Sequence, residues 1–259
     1  MRDAVLAARP ARAETSRFYV WMAAACVLIA FAGFAPTYWL QLPAGTVRAT
    51  PLLHVHAALC SAWPLYLLLQ TALAARGRVA SHRAWGLLGI SLATAIVLIG
   101  IAVADDVLKT RLAAGYGDRA RAFHIAAITI IGSFGGFVAA AIAYVRRPEI
   151  HKRLMLFATA SMLAPAVARF FFLASVGMHA GLRPGIGPPR TVEGVLLPAL
   201  VADVLIVAGM VHDLRTRGRP HPAYLIGGVI VLAIQILRIP LSATSWWYGV
   251  ADVMARLSG

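Results

Sequence analysis

Seven apolar stretches of the chain are each long enough to cross a lipid bilayer as a helix, which takes about 20 predominantly apolar residues. The chain is 60% hydrophobic and only 13% charged, so its composition also favours lipid over water as the surrounding solvent. We therefore predict an all-α polytopic membrane protein, with seven transmembrane helices in a single integral membrane domain over 1–259. The predicted spans are 18–40, 51–75, 84–104, 122–145, 153–176, 191–212 and 222–248.

The basic residues predict the orientation of these spans. They lie at the N-terminus and in every second loop, for example at Arg76, Arg146 and Arg215, while acidic residues are expected in the third loop. By the positive-inside rule, the N-terminal segment 1–17 is cytoplasmic and the C-terminus lies outside. The net charge of +14 does not predict nucleic-acid binding, because the cations are not gathered on one soluble face. The expected partner is the lipid bilayer of a bacterial inner membrane, and a homo-oligomer stays open. The expected third-loop acidic residues are Asp105, Asp106 and Asp118.

An internal repeat relates two pairs of helices. The first copy is "HVHAALCSAWPLYLLLQTALAARGRVASHRAWG" and the second is "FHIAAITIIGSFGGFVAAAIAYVRRPEIHKRLM". His56 aligns with His124 at an offset of 68 residues, and His82 with His151 at an offset of 69. Since a two-helix unit returns to the same side of the membrane, its tandem copy has the same orientation. We predict a duplicated four-helix core over 51–176, with two additional helices over 191–248.

Each helix of the predicted core carries one histidine of this pattern. Corresponding positions of a parallel repeat lie at equal depth, so His56 and His124 are expected at an outer level. His82 and His151 are expected at an inner level. A neutral imidazole presents one nitrogen lone pair, which serves haem iron, zinc or copper. Two imidazoles from facing helices can be the axial ligands of one haem iron, and four can hold two haems.

This arrangement resembles the transmembrane di-haem b-type cytochromes, which pass electrons from ascorbate to ferric iron or monodehydroascorbate. Haem A synthase is similar in its bundle. The resemblance covers roughly residues 50–176 and lies in topology and histidine placement. In these cytochromes the first and third core helices ligate one haem, and the second and fourth ligate the other. Carried over, the resemblance implies haem b at the pairs His56–His124 and His82–His151. It also implies an oxidoreductase that transfers electrons across or within the bilayer, with a quinone or another small molecule as electron donor.

Two other interpretations of the histidines stay open. His82 and His151 begin basic, interfacial stretches, where His, Arg and Lys contact lipid phosphates and Trp85 is an aromatic anchor. Alternatively, His54, His56 and His124 form an outer metal site, with Asp105 or Asp106, in a membrane-integral zinc hydrolase. His54 and His56 point about 200° apart around a helix, which works against a shared metal ion.

Polar side chains inside the last three spans form a second candidate site. Ionisable groups at this depth cost about 2.5–3.5 kcal/mol each on insertion scales, so they should face partners or water. Asp203 is therefore expected to pair with Arg169, Arg238 or both. A net positive group of this kind, with Gln235 beside it, is typical of a transporter or receptor for a small anionic or carbonyl-bearing ligand.

Overall fold

The computed structural model describes residues 2–47, 49–177 and 187–258. These residues form eight α-helices, and α1 to α7 each contain a stretch long and apolar enough to cross a membrane. The predicted all-α polytopic fold with seven spanning helices is confirmed for the described part of the chain. The helices are α1 (Arg2–Phe34), α2 (Pro51–Ala75), α3 (Val79–Ala113), α4 (Gly117–Ala143), α5 (Pro148–Val176), α6 (Leu196–Arg217), α7 (Pro222–Ser242) and α8 (Ser245–Leu257). A π-helical turn (Ala35–Trp39) extends α1, and a 3₁₀ turn (Glu193–Val195) precedes α6.

The start of α2 follows directly from its sequence. The Thr50 hydroxyl accepts a hydrogen bond from the backbone N–H of Leu53 at 3.3 Å, which satisfies one of the free N–H groups of the first turn. Pro51 is the first helical residue, where a missing N–H costs nothing. The predicted span 51–75 therefore coincides with α2.

The third helix is longer than the predicted span 84–104. With 35 residues, α3 is about 52 Å long, well beyond the hydrocarbon thickness of about 30 Å. Asp105 and Asp106 thus lie on α3 and Asp118 lies in the first turn of α4, so the predicted acidic third loop is wrong. No glycine or proline interrupts the chain after the apolar stretch until Gly115, whose φ of 83° ends the helix.

The last predicted span, 222–248, ends too late. Helix α7 stops at Ser242, and the Thr244 hydroxyl accepts from the N–H of Trp247 at 3.2 Å, which caps a new helix. The segment 191–248 therefore contains α6, α7 and the beginning of α8. The apolar Trp246 and Trp247 extended the sequence pattern past the true end of α7.

Helices α1 to α5 form a ring. Successive members pack against each other from α1 to α5, and α1 packs against both α2 and α5, so it closes the ring of the predicted four-helix core. Helix α6 packs against α5, α7 contacts α4, α5 and α6, and α8 lies across α3 and α4. The helices of the repeat thus line one common interior.

A layer of buried aromatic side chains fills the middle of this ring. Trp63 and Phe134 stack edge to face with ring centroids 4.8 Å apart, and Phe137 and Phe157 stack at 5.0 Å. The indole N–H of Trp63 donates to the Thr159 hydroxyl at 3.0 Å, so its polar atom is satisfied inside the core. Along α2 and α4 this layer lies between the two histidine levels.

Candidate functional site

The inner end of the ring brings His82 and His151 together. Their ring centroids are 6.4 Å apart, with the ring planes at 87° to each other. Each lies in the first turns of its helix, after a short loop that returns the chain from the preceding helix. The structure therefore places this pair within the helix diameter that the repeat predicted.

Backbone carbonyls hold both rings of this pair in the same way. Nδ1 of His82 donates to the carbonyl oxygen of Gln70 at 3.3 Å, and Nδ1 of His151 donates to that of Ala141 at 2.8 Å. A carbonyl oxygen only accepts, so Nδ1 carries the proton of each neutral ring. Nε2 of each ring is left with a lone pair, as in histidines that bind a metal through Nε2.

The outer half of the ring contains two adjoining cavities among α1 to α5. The larger has a volume of about 350 Å³ and the smaller about 200 Å³. His56 of α2 lines both, and His124 of α4 lines the smaller one. Trp63 and Phe134 line the larger one on the side of the aromatic layer. His56 and His124 thus reach a common space from two different helices.

His124 is almost completely buried, with 4% of its surface exposed. Its Nε2 lies 3.2 Å from Oδ1 of Asp105 on α3, yet neither atom makes a properly aligned hydrogen bond. Trp247 of α8 covers the ring, with centroids 6.0 Å apart. An imidazole nitrogen with no aligned partner in a buried, cavity-lining position is available to a ligand.

The predicted three-histidine metal site does not form. His54 faces away from His56, and its Nδ1 hydrogen-bonds the Tyr38 hydroxyl in the π-helical turn at 2.8 Å. The described residues contain no group of three or more His, Cys, Asp or Glu side chains that could hold a metal ion. The physical reason is the spacing of His54 and His56, because residues two apart on an α-helix point in different directions.

Arg169 is separate from the other intramembrane charges. Its Nε donates to the Thr37 hydroxyl at 3.1 Å and its Nη1 to the carbonyl of Pro165 at 2.8 Å. The guanidinium lies 3.8 Å from the centre of the Phe34 ring. Arg169 therefore belongs to the larger outer cavity, which it lines together with His56.

The expected salt bridges of Asp203 are wrong for the part of the chain that the structure describes. Asp203 accepts a hydrogen bond from Nε2 of Gln235 at 2.8 Å, and no arginine forms an ion pair with it. Arg238 is buried on α7, and its Nε has no hydrogen-bond partner. The predicted Arg169–Asp203–Arg238 group thus does not form one site. Arg169 lines the larger outer cavity, whereas Asp203 and Arg238 lie on α6 and α7.

A buried ionic cluster at the inner end was not predicted. The fully buried guanidinium of Arg153 is bidentate on Asp213, with Nε donating to Oδ2 at 2.9 Å and Nη2 to Oδ1. Glu149 accepts from Nη1 of Arg153 at 2.9 Å and from Arg217 at 2.6 Å. In the sequence, these arginines stand beside basic stretches that the positive-inside rule treats as loop cations. The signal that could have found the cluster is Asp213, an acidic residue between apolar and basic sequence at the end of α6.

Comparison with known proteins gives no relative from which to infer the role of this site. No protein-family model, no curated protein and no solved structure matches the chain.

Proposed function

We propose that this protein is a membrane b-type haem protein that transfers electrons through two bis-histidine sites. One observation carries the proposal: the four repeat helices each contribute one histidine, and these gather as a pair at the inner level and around one space at the outer level. Interfacial anchoring accounts for a single histidine at a helix start. It does not account for two matched levels.

His82 and His151 would hold the inner haem. Their ring centroids are 6.4 Å apart, and the Nε2 atom of each neutral ring carries a lone pair. A haem iron needs only two protein ligands because the porphyrin supplies the other four, so a group of three ligands is not required.

The outer level supports the proposal through its space and its two histidines. The two cavities together offer a volume typical of small-molecule and cofactor sites, with mostly apolar walls. His56 and His124 would hold the outer haem, and Nε2 of His124, which lies 3.2 Å from Asp105 without an aligned hydrogen bond, would be its ligand atom. Trp247 packs beside His124, and the aromatic layer bounds the larger cavity toward the inner level.

A bound haem supplies reversible one-electron chemistry. The chain itself orients the ligands: the carbonyls of Gln70 and Ala141 fix the tautomers of the inner histidines. The proposal places the protein in a bacterial inner membrane, with a quinone or another small reductant as electron donor. The apolar spanning helices support the membrane environment.

The test is an absorption spectrum of protein expressed with haem supplied. Reduction with dithionite should produce a b-type α-band, with about two haems per chain by haem assay. His82→Ala and His151→Ala should each remove the same haem. His56→Ala and His124→Ala should each remove the other.

His54→Ala is the matched control. His54 is two residues from His56 on the same helix but contacts Tyr38, so its loss should leave both haems in place. Protein that stays colourless after expression with haem and after reconstitution would overturn the proposal. Loss of haem from the His54 variant alone would overturn the pairing.

A further inference from the structure

The larger outer cavity contains a positive charge that no carboxylate among the described side chains balances. Arg169 contacts the Thr37 hydroxyl, the Pro165 carbonyl and the Phe34 ring, and all three partners are neutral. Within residues 17–47, 49–177 and 187–258, no carboxylate forms an ion pair with Arg169. A cation at membrane depth without a counter-charge is expensive, so its presence points to a partner.

Arg153 on the same helix provides the comparison. It is fully buried, and the Asp213 carboxylate accepts two hydrogen bonds from it and Glu149 a third. The described part of the chain thus supplies two carboxylates to one arginine of α5 and none to the other. The neutral contacts of Arg169 fix the guanidinium at the cavity wall and leave its charge available.

The residues that line the cavity indicate the size and polarity of the ligand that would fit it. Most lining side chains are aliphatic or aromatic. The polar groups that also line the cavity include Thr37, Tyr38 and Gln41 of the π-helical turn and its flank. A volume of about 350 Å³ is in the range of small-molecule sites. The matching ligand has an apolar body and one anionic end.

We propose that Arg169 binds the carboxylate of an amphiphilic ligand whose apolar body occupies the larger outer cavity. A carboxylate suits the planar guanidinium, which makes paired hydrogen bonds to it. Two kinds of ligand carry such a carboxylate. One is a porphyrin, through its propionate, and this case rests on the proposed function. The other is a free fatty-acid-like molecule, and this case does not depend on the proposed function.

Binding of iron-free protoporphyrin IX to haem-free protein tests the carboxylate contact. Without iron, the histidines cannot hold the ring as axial ligands, so only its apolar body and its two carboxylates remain. Its dimethyl ester has the same body and no charge. Palmitate, as a competitor and as a ligand in its own right, represents the second source.

Wild-type protein should bind protoporphyrin IX, palmitate or both, and Arg169→Gln should weaken that binding about tenfold or more. Hydrogen bonds between charged groups are large enough for this change. Arg169→Lys should keep part of the affinity, and the ester should bind wild type and Arg169→Gln equally. Arg238→Gln, which removes a buried arginine that does not line the cavity, should leave binding unchanged.

Equal binding by wild type and Arg169→Gln would overturn the inference. So would equal affinity of wild type for acid and ester, a comparison that needs no variant, or failure of both carboxylates to bind. Binding of protoporphyrin alone identifies the propionate as the source, and binding of palmitate identifies a free carboxylate. If the haem spectrum is absent but palmitate binding depends on Arg169, only the proposed function fails. If both haems are present but binding does not depend on Arg169, only this inference fails.

Discussion

Asp213 is the counter-charge on which the buried Arg153 depends. Both side chains are essentially inaccessible, at 0% and 1% exposure, and Asp213 also accepts from the backbone N–H of His221 at 3.1 Å. One carboxylate thereby connects α5, α6 and the start of α7. Removing one partner of a buried pair leaves an uncompensated charge, which is more costly than losing an exposed contact.

Asp213→Asn should destabilise the protein by about 3–5 kcal/mol, because Arg153 keeps its charge and loses its bidentate partner. Unfolding of the detergent-solubilised protein with a chemical denaturant measures this change. Asp118→Asn is the control, since Asp118 pairs with Arg121 but is 69% exposed, and it should change stability little. Equal stabilities of the two variants would show that the inner cluster is dispensable.

His221 should make stability depend on pH. Its Nδ1 accepts from the N–H of Ala223 at 3.1 Å and so caps α7, which requires the neutral ring. Burial lowers the pKa of His221, and the cations Arg153 and Arg217 add to this effect. The unfolded chain, with a His pKa of about 6.5, therefore binds the proton more readily than the folded protein.

Stability should be level above about pH 7 and should fall as the pH drops below about 6.5. In a denaturant titration at several pH values, His221→Asn should remove this part of the decline, because asparagine caps a helix and does not titrate. A decline that is identical in wild type and His221→Asn would assign it to another group.

Single residues were predicted unevenly from sequence. His82 and His151 could be placed at one level because a parallel repeat fixes depth, and depth follows from counting along helices. The hydrogen-bond partner of Asp203 could not be predicted, because Gln235 and Arg238 are three residues apart on the same side of α7 and spacing alone does not select between them. Arg169 shows the same limit, because a side chain at the same depth as Asp203 need not point toward it.

At the scale of helices, α1 and α5 approach each other closely enough for their backbones to meet at Gly33 and Ala166. A Cβ added to the buried Gly33 would lie 2.5 Å from the carbonyl oxygen of Ala166 and 2.9 Å from its Cα. Both are backbone atoms, so no side-chain rotation can relieve the contact. A small residue at such a crossing lets two membrane helices pack backbone to backbone.

Gly33→Ala should therefore separate α1 from α5 and cost about 1–3 kcal/mol, as overpacking of a core does. Gly132→Ala is the matched control, because a Cβ on this exposed glycine of α4 meets nothing within 4 Å. Thermal unfolding in detergent compares the two variants. Unchanged melting of Gly33→Ala would mean that α1 adjusts its position without cost.

Helix boundaries show where sequence patterns stop being informative. Hydropathy locates the apolar part of a helix, whereas the helix ends where capping or glycine ends it. Helix α3 therefore continues through Asp105 to Ala113, and α8 separates from α7 at Thr244 although the apolar pattern runs on. The capping of α2 by Thr50 was predictable because Pro51 follows it directly.

At the scale of the whole molecule, the positive-inside rule gives a testable orientation. The described cysteines, Cys26 and Cys60, are free and can be replaced with alanine to give a background without thiols. Arg146 lies in the exposed loop between α4 and α5, and Ser258 follows α8 on the opposite side of the bundle. In intact cells, a membrane-impermeant maleimide should label Ser258→Cys and should label Arg146→Cys only after permeabilisation. The reverse pattern would invert the orientation and, with it, the assignment of outer and inner sites.

The vertical distance between the two histidine levels has an electrical consequence. Fourteen residues of α2 separate His56 from Gln70, whose carbonyl binds His82, so the levels are about 21 Å apart. Under the proposed function, an electron that moves between the levels travels through most of the hydrocarbon thickness. Moving one elementary charge across the whole membrane at a potential of 100 mV changes its energy by about 2.3 kcal/mol. The membrane voltage would then shift the distribution of electrons between the two sites by up to roughly fiftyfold, so the reaction would be electrogenic.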